Sequence, residues 1–255
     1  MKISIIGSGW LAQPLAMQLQ TDGHEVIVTS TKQDKVSALN AKGLKAFQYE
    51  LGEQLSHPDQ LFDSDVLITA ITSKDTGAFD VLMDQLTEQA CKHLLFISST
   101  SVYQNDGLLH DETSQRLNTK SPLLAIEQLI QLHPSASIIR FAGLVGPKRH
   151  PGRFFTGDKV LKNPDAPINL IHLDDCIGII KTVIEQNAWN EIFNGCADCH
   201  PTKLQFYGKM AQQLGIDHIA TANDDGRSHK IIDNHKIKTT TAYHFLHPDL
   251  LVVDF

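Results

Sequence analysis

The sequence predicts an α/β fold, a doubly wound parallel sheet carrying a small C-terminal lobe, and three observations predict it. Residues 3–6 are a short apolar run of strand type that stops at Gly7, and apolar residues then recur at Leu11, Leu15, Ala16 and Leu19 with the spacing of a helix face. Further strand-like runs at 24–29, 65–70 and 93–97 alternate with helical patterns, which implies right-handed crossovers and a parallel sheet covered on both faces. Between the first strand and the first helix lies Gly7-Ser8-Gly9-Trp10-Leu11-Ala12, a G-x-G-x-x-A joint of the dinucleotide-binding kind. The predicted sheet is therefore of Rossmann type.

The joint has a specific physical logic. Gly7 permits the tight turn, Gly9 lets a pyrophosphate approach the backbone, and Ala12 is small enough for the helix to lie close on the strand. The amides of Gly9, Trp10 and Leu11 and the positive end of the helix dipole then face the anion, with Ser8 a further cofactor contact in the same joint.

Residues 24–29 read as the second strand, entered through the Asp22-Gly23 turn. NAD binders tend to place an acid at the end of this strand for the adenosine ribose hydroxyls. Here the strand runs into Ser30-Thr31-Lys32 with no acid until Asp34. Hydroxyls and an ammonium suit a 2′-phosphate, so NADP is favoured and NAD is the alternative. Lys32 also reads as a solvated charge in the first turn of a helix.

Residues 45–48 form a weak third strand, 65–70 a clear fourth and 93–97 a clear fifth, with a helical pattern at 79–90. Ligands of such sheets sit at the carboxyl ends of the strands, which adds Ala70, Ile71, Thr72 and Ser98 to the expected cofactor contacts. Ser121-Pro122 opens a helix running to about Leu132, with Ser at the N-cap and Pro at the first helical position. The strand at 137–141 then leads into Ala142-Gly143-Leu144-Val145-Gly146-Pro147. Beyond it the pattern changes. Residues 148–153 are basic and turn-rich, and 162–167 are irregular. Asp174 reads as the cap of a helix reaching about Gln186, 189–194 as a strand returning to the main sheet, and 203–214 as a further helix. The expected division is a dinucleotide-binding core at 1–146 and a small substrate lobe at 147–255, with about 171–198 returning to the sheet.

Composition bounds the partners. A net charge of −7 gives no basic surface for nucleic acid or anionic membrane, and no run is long enough to span a bilayer. Four cysteines at 91, 176, 196 and 199 are no disulfide framework, and with no targeting segment in view the expected setting is the cytoplasm. The expected partner is a small-molecule substrate, and the expected state a monomer or homodimer. Cys196-Ala197-Asp198-Cys199-His200 matches a haem-attachment pattern, but it follows the returning strand of an α/β fold and reads as an accidental pairing. No H-E-x-x-H pair occurs among 13 histidines, and no metal site is expected.

The order of motifs resembles the short-chain dehydrogenase/reductase superfamily, in an atypical form of its extended, epimerase/dehydratase-like branch. Gly7 to Ala12 is followed by Ile97-Ser98-Ser99-Thr100-Ser101-Val102-Tyr103 after the fifth strand, then Asp111-Glu112-Thr113. Arg140-Phe141-Ala142-Gly143-Leu144-Val145-Gly146-Pro147 resembles the segment that passes the nicotinamide, which implies cofactor contacts at Phe141 and Leu144. Ile171-His172-Leu173-Asp174-Asp175 resembles the H-V-D-D element, and Phe193-Asn194-Gly195 the return strand. The resemblance implies that Ser99 is the catalytic Ser/Thr, hydrogen-bonded to the substrate oxygen. The residues alone support a plainer reading, in which 98–101 satisfy backbone groups in a strand-end loop.

One departure is large. The family carries a Tyr and, four residues on, a Lys that helps tune the phenol as acid or base. The residues four beyond Tyr49, Tyr103, Tyr207 and Tyr243 are Glu53, Gly107, Ala211 and His247. With Glu127 placed on the family's helix acid, Thr119 and Leu123 stand where Tyr and Lys belong. Tyr103, His110, Asp111 and His172 are the remaining candidates to handle a proton. Arg149 and Arg153, beside Lys148 and His150, stand where the resemblance places the mouth of the substrate lobe; they read equally as holders of a substrate phosphate or carboxylate and as a solvated loop. The leading expectation is an NADP-preferring oxidoreductase or epimerase acting at a carbinol or carbonyl carbon of a small polar substrate. The alternative is a catalytically silent dinucleotide sensor. A different dehydrogenase class sharing the G-x-G-x-x-A joint would carry a helical substrate domain after residue 150, which the short segments there do not suggest.

Overall fold

Strand β1 (Lys2–Ile6) is buried from Ile3 onward, as an apolar run must be when helices cover both faces of its sheet. In the computed structural model, which describes residues 1–155, 159–223 and 229–255, the chain continues through α1 (Ala12–Thr21), β2 (Glu25–Ser30), α2 (Gln33–Ala41) and β3 (Lys45–Gln48). It goes on through α3 (Asp59–Phe62), β4 (Val66–Thr69), α4 (Thr76–Thr87), β5 (His93–Ser99) and β6 (Leu109–His110). Next come α5 (Pro122–Ile130), β7 (Ala136–Phe141), β8 (Gly143–Val145), β9 (Leu161–Lys162), β10 (Leu170–His172) and α6 (Leu173–Glu185). The last elements are β11 (Ile192–Gly195), α7 (Lys203–Gln212), β12 (Thr221–Ala222), β13 (Ile231–Ile232) and α8 (His235–Thr241).

A seven-stranded sheet has the order β11-β7-β5-β4-β1-β2-β3, and the pairs β1–β2, β2–β3, β1–β4 and β4–β5 are parallel. The strand order reverses direction at β1, the switch point where a doubly wound sheet opens a crevice for ligands. The predicted fold class is the observed one.

Contacts divide the chain into two compact units. The first holds 1–99, 119–140 and 180–193; the second holds 100–118, 141–179 and 194–255. The sequence reading divides the chain at 146, with about 171–198 returning to the sheet. In the first unit the core gathers Ile6, Leu67, Phe79, Leu94, Phe96 and Ile126, with Phe79 and Phe96 edge to face at 5.5 Å. Each fully buried side chain of this size is worth about 1.5–3 kcal/mol. The second unit has its own core around Val145, Leu170, Phe206, Met210 and Leu250.

Several expectations shift. The helix expected at 79–90 is α4, which begins earlier because the Asp75 carboxylate caps the Ala78 amide at 3.1 Å. Ser121 is the N-cap of α5 and Pro122 its first residue, but the Ser121 side chain makes no capping bond. Asp174 is not a cap: α6 starts at Leu173 and places Asp174 inside its first turn. Of the segment 171–198, only β11 joins the main sheet, whereas β10 pairs with β8 in a separate two-stranded ladder.

Candidate functional site

The joint between β1 and α1 has the two glycines in different physical situations. Gly7 has φ +115°, and a Cβ there would lie 2.7 Å from the Ala70 carbonyl oxygen and 2.8 Å from Ile71 Cγ2. Only glycine fits, and Ala70 and Ile71 are thereby placed against the joint. The Gly7 amide donates to Thr29 Oγ1 at 3.1 Å, tying the turn to the end of β2. At Gly9 the opposite holds. A Cβ would meet nothing within 4 Å, so the protein itself does not require a glycine there. An uncrowded backbone at this position is what a close-approaching phosphate needs. Ala12 is 1 % exposed, Ser8 and Leu11 are buried and Trp10 is half-buried. The Leu11 cap position carries no side-chain bond, and the first turn of α1 holds no acid to compete with an anion.

At the end of β2, Ser30 is buried and the Lys32 amide donates to its hydroxyl at 3.4 Å. Gln48 Nε2 donates to the Thr31 carbonyl at 3.1 Å, while Lys32 is exposed at the head of α2 and forms no salt bridge among the described residues. Thr72, beyond β4, is exposed.

The end of β5 is held by a buried charge pair. Ser98 Oγ donates to Glu127 Oε1 at 2.6 Å. Arg140 meets the same carboxylate with Nη2 at 2.6 Å from Oε2 and Nε at 3.1 and 3.2 Å from the two oxygens. The Arg140 and Glu127 side chains are only 4 % and 2 % exposed, so the pair acts as a fixed pin rather than a surface bridge. The Ser98 proton is thus committed to the scaffold, and Ser99, half-buried, is the terminal residue of β5.

In the second unit Tyr103 is buried, and its phenol donates to Asn194 Oδ1 at 2.8 Å. Asn194 is held in turn by Glu112, which accepts its amide at 2.6 Å, and by the Asp233 carbonyl at 3.0 Å. His110 lies 5.2 Å from the Tyr103 ring, fully buried between Ser114 Oγ and Asp106 Oδ1, each at 2.9 Å. The Asp111 carboxylate accepts the amide and hydroxyl of Thr113 at 2.9 and 2.7 Å, an Asx-type turn. Each of these three proton-handling candidates therefore has structural partners, and so does the fourth, His172, whose Nδ1 accepts the Asp174 amide at 3.2 Å.

Phe141 packs against Gly195, where a Cβ would fall 2.3 Å from Phe141 Cδ1, and Leu144 pairs with Ile171 in the β8–β10 ladder. His172 stands beside Asp174 and His247, and burial holds its imidazole below the ordinary value, with His247 adding to the effect. Arg149 and Arg153 are exposed, in a turn where the Arg149 amide donates to the Gly146 carbonyl at 2.9 Å.

One residue gave no signal in the sequence. Lys230 is half-buried; its Nζ donates to the Tyr103 carbonyl at 2.9 Å, and burial pulls its ammonium below the usual lysine range. Cys196 and Cys199 are both free thiols whose pKa burial pushes up, against a thiolate role.

Residues 2–101 match the model of a family described as NADP oxidoreductase coenzyme F420-dependent. Over nearly its whole length the chain is similar to Protein YeeZ of Escherichia coli (strain K12), with 35 % identity over 271 residues, 99 % of this chain and 98 % of that protein. The chain belongs to the YeeZ family. Among solved structures, this YeeZ-family chain is similar to a functionally unknown conserved protein from Silicibacter pomeroyi DSS, with TM-score 0.82 and 21 % identity, covering 98 % of this chain and 95 % of that one. It is similar also to UDP-glucuronic acid 4-epimerase from Bacillus cereus in complex with NAD, with TM-score 0.77 and 16 % identity, covering 96 % and 93 %. The fold expected from the order of motifs is thus one this chain shares with these solved structures. Among the described residues no helix is long and apolar enough to cross a membrane.

Proposed function

We propose that this YeeZ-family chain is an NADP-preferring oxidoreductase or epimerase acting at a carbinol or carbonyl carbon of a small polar substrate. The observation that carries the reading is the backbone at Gly9, open where every other demand of the fold would tolerate a side chain. The residues present fit a dinucleotide: Gly7 to Ala12 for the pyrophosphate, and Ser30, Thr31 and Lys32 for a 2′-phosphate. When bound, the nicotinamide supplies hydride transfer. Ser99 hydrogen-bonds the substrate oxygen and steadies charge developing on it, while Ser98, Glu127 and Arg140 keep the end of β5 from moving. Arg149 and Arg153 are assigned to an anionic group of the substrate. The proposed partner is that small molecule alone, the state a monomer or homodimer, and the setting the cytoplasm.

Calorimetry on a Gly9→Ala protein tests the cofactor site. Unfolding should be unchanged, because the new methyl touches no protein atom, while NADPH affinity should fall. An alanine variant that binds NADPH as well as the parent would remove the basis of the reading. Ser99→Ala should then lower turnover and leave cofactor affinity nearly intact.

A second reading, a catalytically silent dinucleotide sensor, is favoured by the absent Tyr-x-x-x-Lys pair and by the engagement of the Tyr103 phenol with Asn194. A substrate screen followed by nicotinamide absorbance separates the two: reproducible turnover excludes the sensor, and silence with tight binding excludes the enzyme.

A further inference from the structure

His172 closes β10, Asp174 lies in the first turn of α6, and His247 comes from the segment after α8. Nothing in the sequence joins His247 to the other two. In the structure one potential ligand atom from each lies within 4.8 Å of the others. Asp174 Oδ2 is 3.3 Å from His172 Nδ1 and 3.0 Å from His247 Nε2, and the two rings are 4.1 Å apart between centroids. Donor atoms about 3.3 Å apart are what tetrahedral bonds of about 2.0–2.1 Å produce.

The arrangement is held from behind. Asp175, fully buried, accepts the Leu246 amide at 2.7 Å, the His247 amide at 3.0 Å and the Tyr243 hydroxyl at 2.9 Å. That clamp fixes the backbone of His247 relative to α6, so the imidazole is delivered to Asp174 by a rigid support. Chemistry also favours a cation. His172 Nδ1 accepts the Asp174 amide at 3.2 Å, so that nitrogen is bare in this arrangement, yet a carboxylate oxygen stands equally near. His247 Nε2 donates to Asp174 Oδ2 at 3.0 Å, a proton that a bound cation would replace, and the second carboxylate at Asp175 offsets the positive end of α6. His172 is nearly buried, whereas the Asp174 and His247 side chains are 50 % and 27 % exposed, leaving an approach from solvent.

We propose that His172, Asp174 and His247 bind one divalent transition-metal ion of the zinc class. Two imidazoles and one carboxylate are a borderline donor set, suited to Zn²⁺, Co²⁺ or Ni²⁺ and poorly suited to Mg²⁺ or Ca²⁺. An ion there replaces the long amide contact at His172 and cross-links the start of α6 to the segment that carries His247. The inference stands apart from the dinucleotide reading and survives its failure.

The test is titration of the untagged, chelator-treated full-length protein with ZnCl₂ and CoCl₂ by calorimetry, alongside His247→Gln, Asp174→Asn and an exposed control, His57→Gln. One ion per chain is expected, with a raised melting temperature and the visible bands of four-coordinate Co²⁺. His247→Gln and Asp174→Asn should each weaken binding by at least about tenfold, and His57→Gln should not. The two variants make the test independent of any one substitution's effect on folding, which circular dichroism checks. No heat at millimolar Zn²⁺, or unchanged affinity in both variants, overturns the proposal.

Discussion

Glu127 shows how much a single buried charge can organise. Its carboxylate is shared by Ser98 and Arg140, and neither partner has water to fall back on. Glu127→Ala should therefore destabilise the protein by about 3–5 kcal/mol in urea unfolding, because it removes the counter-charge of a buried guanidinium. Tyr103 makes a complementary case. Tyr103→Phe removes the donor to Asn194 and leaves a buried amide oxygen short of a partner, at a cost of about 1–3 kcal/mol. NADPH affinity measured on the same variant should not change, since the phenol is spent on Asn194. The Ser-x-x-Val-Tyr string is legible in the sequence, but the hydrogen bond that engages its tyrosine is not, because Asn194 arrives on a strand far along the chain. Gly7, Gly9 and Ala12 are the reverse: their spacing alone announces the turn, the open backbone and the close packing that the structure displays.

At the scale of elements, α6 carries an unusual constraint. A glycine inside a helix normally costs about 0.5–1 kcal/mol relative to alanine. At Gly178, however, a Cβ would fall 2.3 Å from Tyr243 Oη and 3.0 Å from two ring carbons. Gly178→Ala should consequently lower the urea midpoint, opposite to the helix-propensity expectation, by displacing Tyr243 from Asp175. Helix α7 follows the ordinary rule. Thr202 and Gln205 form a full capping box, so Thr202→Ala should cost about 1 kcal/mol by the same measurement. Both helices are visible as periodic apolar patterns. The start of α7 at Lys203 is the expected one, but that of α4 is less legible: a pattern of apolar residues fixes which face is buried, whereas the first turn depends on a cap such as Asp75 that competes with neighbouring polar residues.

For the whole molecule, stability should depend on pH through its half-buried histidines. Burial holds His133, His200 and His93 below their ordinary imidazole value. The unfolded chain then binds more protons than the folded one as pH falls through about 6.5, so the stabilisation present above that pH is lost below it. Thermal unfolding should shift to lower temperature between pH 7.5 and pH 5.5 by differential scanning fluorimetry, without added ligand. An unshifted or rising transition would contradict the burial argument. The sequence by itself determined the parallel sheet, its first strand–turn–helix joint and the interruption of the pattern beyond residue 146, because each is written in neighbouring residues as period, breaker and small side chain. Tertiary structure alone decided that residues 100–118 belong with the second unit, that Glu127 pins Ser98, and that His247 meets His172 and Asp174. Those facts join residues remote along the chain, and only packing of the folded backbone brings such groups within reach of one another.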